Sequence, residues 1–185
     1  MKNSQLTLQY LSIVSFHEKF QLPQFKSLLD MPTDLVQFRE KFLVEEAKET
    51  YEAFARKDRH ETLDGLVDLT YVAMGTYFLA GGAQDRVERH TEHSFSFLDL
   101  YKMSSGYTLS LDPDFVELNK LLDICCGCRK MALDYGFSFN VAFDRVHKAN
   151  MSKVRAKSDK EGKRNPTWDV VKPEGWVAPD LSDLV

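Results

Sequence analysis

The sequence predicts an all-α protein, a bundle of four or five helices within 185 residues. Apolar residues recur at spacings of three and four along most of its length, the period of helices buried on one side. No stretch shows a convincing strand alternation. Breaks and starts stand at Pro23, Pro32, Gly81-Gly82, Asp112-Pro113 and Gly136, leaving segments of helical length between them. With 43% apolar and 28% charged residues, the composition is ordinary for a globular chain enclosing one sizeable core.

The first helix is expected from about Gln5 to Phe20, with Leu6, Tyr10, Ile13, His17 and Phe20 on one side. The second starts after Pro32 with Thr33 as its N-cap and ends near Lys57-Asp58. A third, from His60 to Ala80, is apolar nearly all round and stops at Gly81-Gly82, so it reads as the buried centre. Residues 84–111 are polar at first and then aromatic, and read as an insertion: a helix, a lid or a partner-facing segment. Asp112-Pro113 opens a fourth helix that carries Phe115, Leu118, Leu122, Cys125 and Cys126 and ends by Gly136. The fifth, capped by Ser138, puts Phe139, Phe143, Val146, Asn150 and Lys153 on one stripe. A basic, extended tail follows over about 155–185. No linker divides the chain, so residues 1–185 form a single domain by this reading.

The formal net charge of −4 conceals a reversal. Between Lys153 and Lys172 seven Lys or Arg face three acids, a local charge of +4. One short basic patch on an acidic chain suits a phosphate better than a nucleic acid, and no nucleic-acid partner is expected. No apolar run has transmembrane length, so no membrane partner is expected either. Three cysteines crowded at 125, 126 and 128 suit buried free thiols in a reducing compartment, and the location expected is cytoplasmic. The apolar circumference of the third helix predicts a homodimer or homotetramer that completes the bundle.

Five acids, Glu45, Glu46, Glu49, Glu61 and Asp64, with Asp68 one turn beyond, decide the chemistry. At about 100° per residue, Glu46 and Glu49 fall within the arc of Leu35, Phe38, Phe42 and Ala53, with Glu45 at its edge. Glu61, Asp64 and Asp68 form a stripe that Val72, Gly75 and Leu79 continue. A solvated acidic face would lie opposite the apolar residues. Several anions set among them need protons or cations. Hard oxygen ligands without cysteine select Mg²⁺ or Mn²⁺, and Mg²⁺ shares its remaining positions with substrate phosphates. A di-iron bundle would want two Glu-x-x-His pairs, and the chain offers only Asp144-x-x-His147. His90-x-x-His93 with Cys126-x-Cys128 matches no common zinc spacing.

Glu45-Glu46-Ala-Lys-Glu49, followed by Glu61-Thr-Leu-Asp64, resembles the EExxE…ExxD signature of the all-α nucleoside triphosphate pyrophosphohydrolases. That superfamily includes the MazG-like proteins, dimeric dUTPases and phosphoribosyl-ATP pyrophosphohydrolase. Phe16-His-Glu-Lys-Phe20, Ala149-Asn-Met-Ser-Lys153 and Lys172-Pro-Glu-Gly-Trp176 add to the likeness, which covers roughly residues 14–82 and 137–181. The resemblance implies a MazG-like fold of the single-domain type found in bacteria and phages, in a bacterial or phage-infected host cytosol. It implies Glu46, Glu49, Glu61 and Asp64 as metal ligands, with Glu45 an outer acid that accepts a proton or completes a second metal site. Asp68 would hold a metal-bound water, and Asn150, Lys153 and Lys172 would meet substrate. The reaction implied is cleavage of a (d)NTP between its α- and β-phosphates, with purines such as dGTP or GTP favoured. Phosphoribosyl-ATP hydrolysis and a non-enzymatic helical binding protein are the alternatives.

Overall fold

The computed structural model describes residues 4–90, 95–106, 111, 118–156 and 169–185. Seven α-helices stand among them: α1 (Ser4–Lys19), α2 (Thr33–Ala55), α3 (Arg59–Leu79), α4 (Gln84–Arg89), α5 (Phe97–Ser104), α6 (Leu118–Asp134) and α7 (Phe139–Met151). The protein is all-α in class, with more helices than the four or five expected. The additions are α4 and α5, which occupy the stretch read as a helix, a lid or a partner-facing segment. The Asp112-Pro113 start, Phe115, His93 and Trp168 lie outside the described residues.

α3 is the centre. Leu63, Leu66, Val67, Leu69, Ala73, Met74 and Tyr77 are all fully enclosed, and α1, α2, α6 and α7 pack around them. Its apolar circumference is therefore covered by helices of the same chain. Cys125, Cys126 and Cys128 are thiols outside any disulfide, buried against the same core. No helix among the described residues is long and apolar enough to cross a membrane.

Ser138 is the N-cap residue of α7, though without a side-chain cap bond. Thr33, expected as the cap of α2, is instead its first residue, and Pro32 holds the N-cap position. The cap that matters for the site is Asp58, whose Oδ1 accepts from the Glu61 amide at 3.1 Å. Just before it Lys57 takes a left-handed φ of 59°, which ends α2 and turns the chain back at once. α2 and α3 thus run antiparallel with their acid-bearing turns adjacent.

The tail contains the strands that the sequence did not suggest. β1 (Val154–Arg155) and β2 (Val170–Val171) pair antiparallel, Val154 opposite Val171 and Arg155 opposite Val170. Two residues each are too few to show alternation, and the pairing joins segments separated in sequence. Arg145 ties the end of the chain to α7, reaching Asp183 with Nη1 at 2.5 Å and Nη2 at 2.9 Å.

Candidate functional site

Glu46 and Glu49 meet the α3 acids because α2 and α3 touch backbone to backbone at one point. A Cβ on Gly65 would stand 2.6 Å from the Thr50 Oγ1 and 2.9 Å from the Thr50 Cα. Thr50 adjoins Glu49, Gly65 adjoins Asp64, and only glycine permits this approach. Thr50 turns its hydroxyl inward to the Glu46 carbonyl at 2.6 Å, so it leaves no donor unpaired in the contact.

Burial of the acids is graded. Glu46 is buried at 7% exposure, Asp64 and Asp68 are half-buried, and Glu45, Glu49 and Glu61 are exposed. The apolar arcs therefore enclose fewer anions than the helical projection implies. Long glutamates at the edge of an arc swing their heads out to water while their stems stay on the face.

A cavity of about 510 Å³ opens beside them. Glu45, Glu46, Glu49 and Asp68 line it, as do Asn150 and Lys153 from α7 and the start of its C-terminal turn. Asp169, Val170, Val171 and Lys172 on the returning β2 segment complete that side. Glu61 and Asp64 are not among the lining residues, yet electrostatics tie them to the rest. Burial pushes the Asp64 carboxyl up, the Glu61 charge adds to this, and His60, Lys172 and Lys153 oppose it. Burial, and then Asp64, raises Asp68 to about 7 against the pull of Lys153 and Lys172. Asp68 is thus pushed toward its protonated form by burial first and by its acidic neighbour second. Among the described residues no three His, Cys, Asp or Glu side chains stand close enough to hold a metal ion.

Beyond Asp68 the cavity follows α3 past Tyr71 and Val72 to Gly75, seven residues or about 10 Å along the axis. A Cβ at Gly75 would lie 3.1 Å from Arg39 Nη2 and 3.5 Å from His17 Nε2, so the missing side chain opens a polar notch there. Arg39 is held by Thr76 Oγ1 at 2.9 Å and the Val72 carbonyl at 2.6 Å. Burial, with the Arg39 charge beside it, lowers His17 to about 3, and its Nδ1 is enclosed without a partner. Phe16, Phe38 and Phe42 also line the cavity. One end is therefore acidic and the other aromatic with neutral and cationic nitrogen groups.

Asn150 is buried at 6% exposure and acts on the neighbouring Tyr71 hydroxyl, lowering its pKa against the larger upward push of burial. The Tyr71 hydroxyl lies 3.0 Å from His147 Nδ1, and His147 Nε2 is 3.4 Å from the Ser15 hydroxyl. His147 is thus a hydrogen-bonding residue that joins α7 to α1 and α3. The sequence reading assigned no role to Arg39, His17 or Gly75. Arg39 was within reach of it: residues 39, 42, 46 and 49 share one stripe of α2. Gly75 was read as part of an apolar stripe, and only the tertiary contact reveals it as an opening.

Residues 14–94 match the family model described as phosphoribosyl-ATP pyrophosphohydrolase. The matched span holds all six acids but ends before Asn150, Lys153 and Lys172. The match covers less than half of the chain, and that stretch is similar to the superfamily that joins MazG-like proteins and phosphoribosyl-ATP pyrophosphohydrolase. No curated protein and no solved structure matches the chain.

Proposed function

We propose that this protein is a divalent-cation-dependent pyrophosphohydrolase that cleaves the α–β phosphoanhydride of a nucleotide, releasing a monophosphate and pyrophosphate. The observation that carries this reading is the cavity with crowded carboxylates on one wall and Lys153 and Lys172 on another. Carboxylates alone would repel a polyphosphate, and lysines alone would not activate water. Their pairing suits a cation and a phosphate chain together. The aromatic end, about 10 Å along α3, lies at a distance that suits a nucleobase.

Glu46, Glu49, Glu61 and Asp64 would hold Mg²⁺, or Mn²⁺ in its place, and their all-oxygen chemistry fits such an ion. When bound, the ion would neutralise phosphate charge and polarise phosphorus. Glu49 and Glu61 are exposed, so their side chains have the rotamer freedom to close on it. Glu45 would accept the proton of the attacking water as its oxygen bonds to the α-phosphorus and the bond to the bridging oxygen breaks. Asp68, half-buried behind Asp64, would orient water at the metal. Asn150 would contact the base or sugar, and Lys153 and Lys172 the phosphates.

The family match favours phosphoribosyl-ATP over the dGTP or GTP expected from the sequence, and both share the triphosphate that the acidic end would meet. Assembly as a homodimer or homotetramer in a bacterial or phage-infected cytosol belongs to the same proposal. The test is a Mg²⁺-containing panel of phosphoribosyl-ATP and the common (d)NTPs, read by pyrophosphate release with and without EDTA. Release of orthophosphate, or hydrolysis indifferent to EDTA, overturns the assignment. A protein that binds neither Mg²⁺ nor any nucleotide would instead be a helical binding protein.

A further inference from the structure

Lys153 and Lys172 are nineteen residues apart in sequence, yet the β1–β2 register brings them together. With Val154 opposite Val171 and Arg155 opposite Val170, the next position of the ladder sets Lys153 across from Lys172. Two like charges directly opposite one another repel, and flexible lysine stems relieve that by splaying into water. Here both ammonium groups lie over one indole. Lys172 Nζ is 4.4 Å and Lys153 Nζ 5.6 Å from the Trp176 ring. The ring is itself fixed, because its Nε1 donates to the Ala149 carbonyl in the last turn of α7 at 3.0 Å. Both lysines line the cavity and Trp176 does not.

We infer that Trp176 is a positioning residue whose indole holds Lys153 and Lys172 side by side at the acidic end of the cavity, forming a two-lysine seat for a diphosphate unit. The inference rests on the pyrophosphohydrolase reading of the site and deepens it. Three observations favour this role over stacking on a base. The indole lies behind the lysines and outside the cavity lining. Its polar edge is committed to the helix that carries Asn150 and Lys153. The cavity's own aromatic residues, Phe16, Phe38 and Phe42, flank the Gly75 end instead. Paired ammonium groups at one spacing match the two adjacent phosphates of a pyrophosphate better than a single phosphate.

The test measures binding of Mg²⁺–pyrophosphate, AMP and the other common nucleoside monophosphates by calorimetry for the full chain and four variants. Trp176→Leu removes the π face and should weaken pyrophosphate about tenfold, the scale of two cation–π contacts, with AMP changed far less. Trp176→Phe keeps a π face and should stay within about threefold of wild type. In a Lys153→Met/Lys172→Met background, Trp176→Leu should add nothing, since the partners through which it acts are gone. In the unsubstituted protein the ε-methylene protons of both lysines should show upfield NMR shifts from the indole ring. This measurement needs no variant to fold. Pyrophosphate affinity unchanged in Trp176→Leu, or lysine shifts at their free values, overturns the inference and leaves the site reading intact. A changed order among bases with pyrophosphate affinity kept also overturns it, in favour of stacking. Unsubstituted protein that binds no Mg²⁺–pyrophosphate removes the site reading, and this inference with it.

Discussion

Replacing Asp68 by Asn should stabilise the metal-free protein at neutral and alkaline pH. The Asp68 carboxyl is held at about 7, against an ordinary value of 3.8, by burial first and by the neighbouring Asp64 second. The sign follows from proton linkage. Below pH ~4 both folded and unfolded chains are protonated at this position, and Asp68 costs nothing. Between pH ~4 and ~7 the unfolded chain gives up its proton while the folded one retains it, so stability falls as pH rises. Above ~7 the full cost is present. From 3.8 to about 7, at about 1.36 kcal/mol per pH unit, the ceiling is ~4 kcal/mol. Asp68 borders a cavity that water enters, so screening reduces the expected gain for Asp68→Asn to ~2 kcal/mol. Urea unfolding of both proteins in EDTA at pH 4.5, 6 and 8 reads it directly. The advantage of the variant should grow across that series, then shrink or reverse with millimolar Mg²⁺, which makes an anion there favourable. Parallel pH profiles for the two proteins would refute the crowding argument, and Mg²⁺ stabilising both equally would refute the role of Asp68 beside the metal.

Four further outcomes follow from the same geometry. Glu49→Ala and Asp64→Ala should each lose most of the pyrophosphatase turnover while circular dichroism and metal-free melting temperature hold or rise; near-normal, Mg²⁺-dependent turnover in Glu49→Ala would discard the ligand set. Gly65→Ala should cost about 1–3 kcal/mol in denaturant unfolding, the usual toll of overpacking, because its methyl group would stand 2.6 Å from Thr50 Oγ1. It should also weaken Mg²⁺ binding by parting α2 from α3, and unchanged stability would show that the helices do not meet at Thr50. Gly75→Ala places a methyl group 3.1 Å from Arg39 Nη2 and should raise KM for the nucleotide with kcat little changed, as steady-state kinetics will report. Lys153→Ala should weaken triphosphate binding by about 1.5–3 kcal/mol, the scale of a charge-assisted hydrogen bond, with less effect on a monophosphate.

Much of the site was legible because helical periodicity is local. Glu46 could be placed on the face of Leu35 and Phe38, and Asp64 on that of Asp68 and Gly75, from spacing alone. The residues that escaped have signals that reside in contacts. Gly65 looks like any helix glycine until Thr50 lies against it, and Gly75 like a small core residue until Arg39 and His17 converge on its missing side chain. The graded exposure of the glutamates was hidden for a similar reason: a projection assigns a face, while the length of the side chain decides where the charge ends.

By itself the sequence determined an all-α chain, the acid-bearing stripes of α2 and α3, and the central place of α3, all properties of residues within a few turns of one another. Only the tertiary structure decided that α3 is covered within a single chain, and that α4 and α5 arise between residues 84 and 104. The same holds for the two lysines on one indole across from the acids. That last arrangement depends on a two-residue strand pair joining Val154 to Val171. Such pairing is stabilised by backbone bonds between distant segments, which leave no periodic trace in either segment.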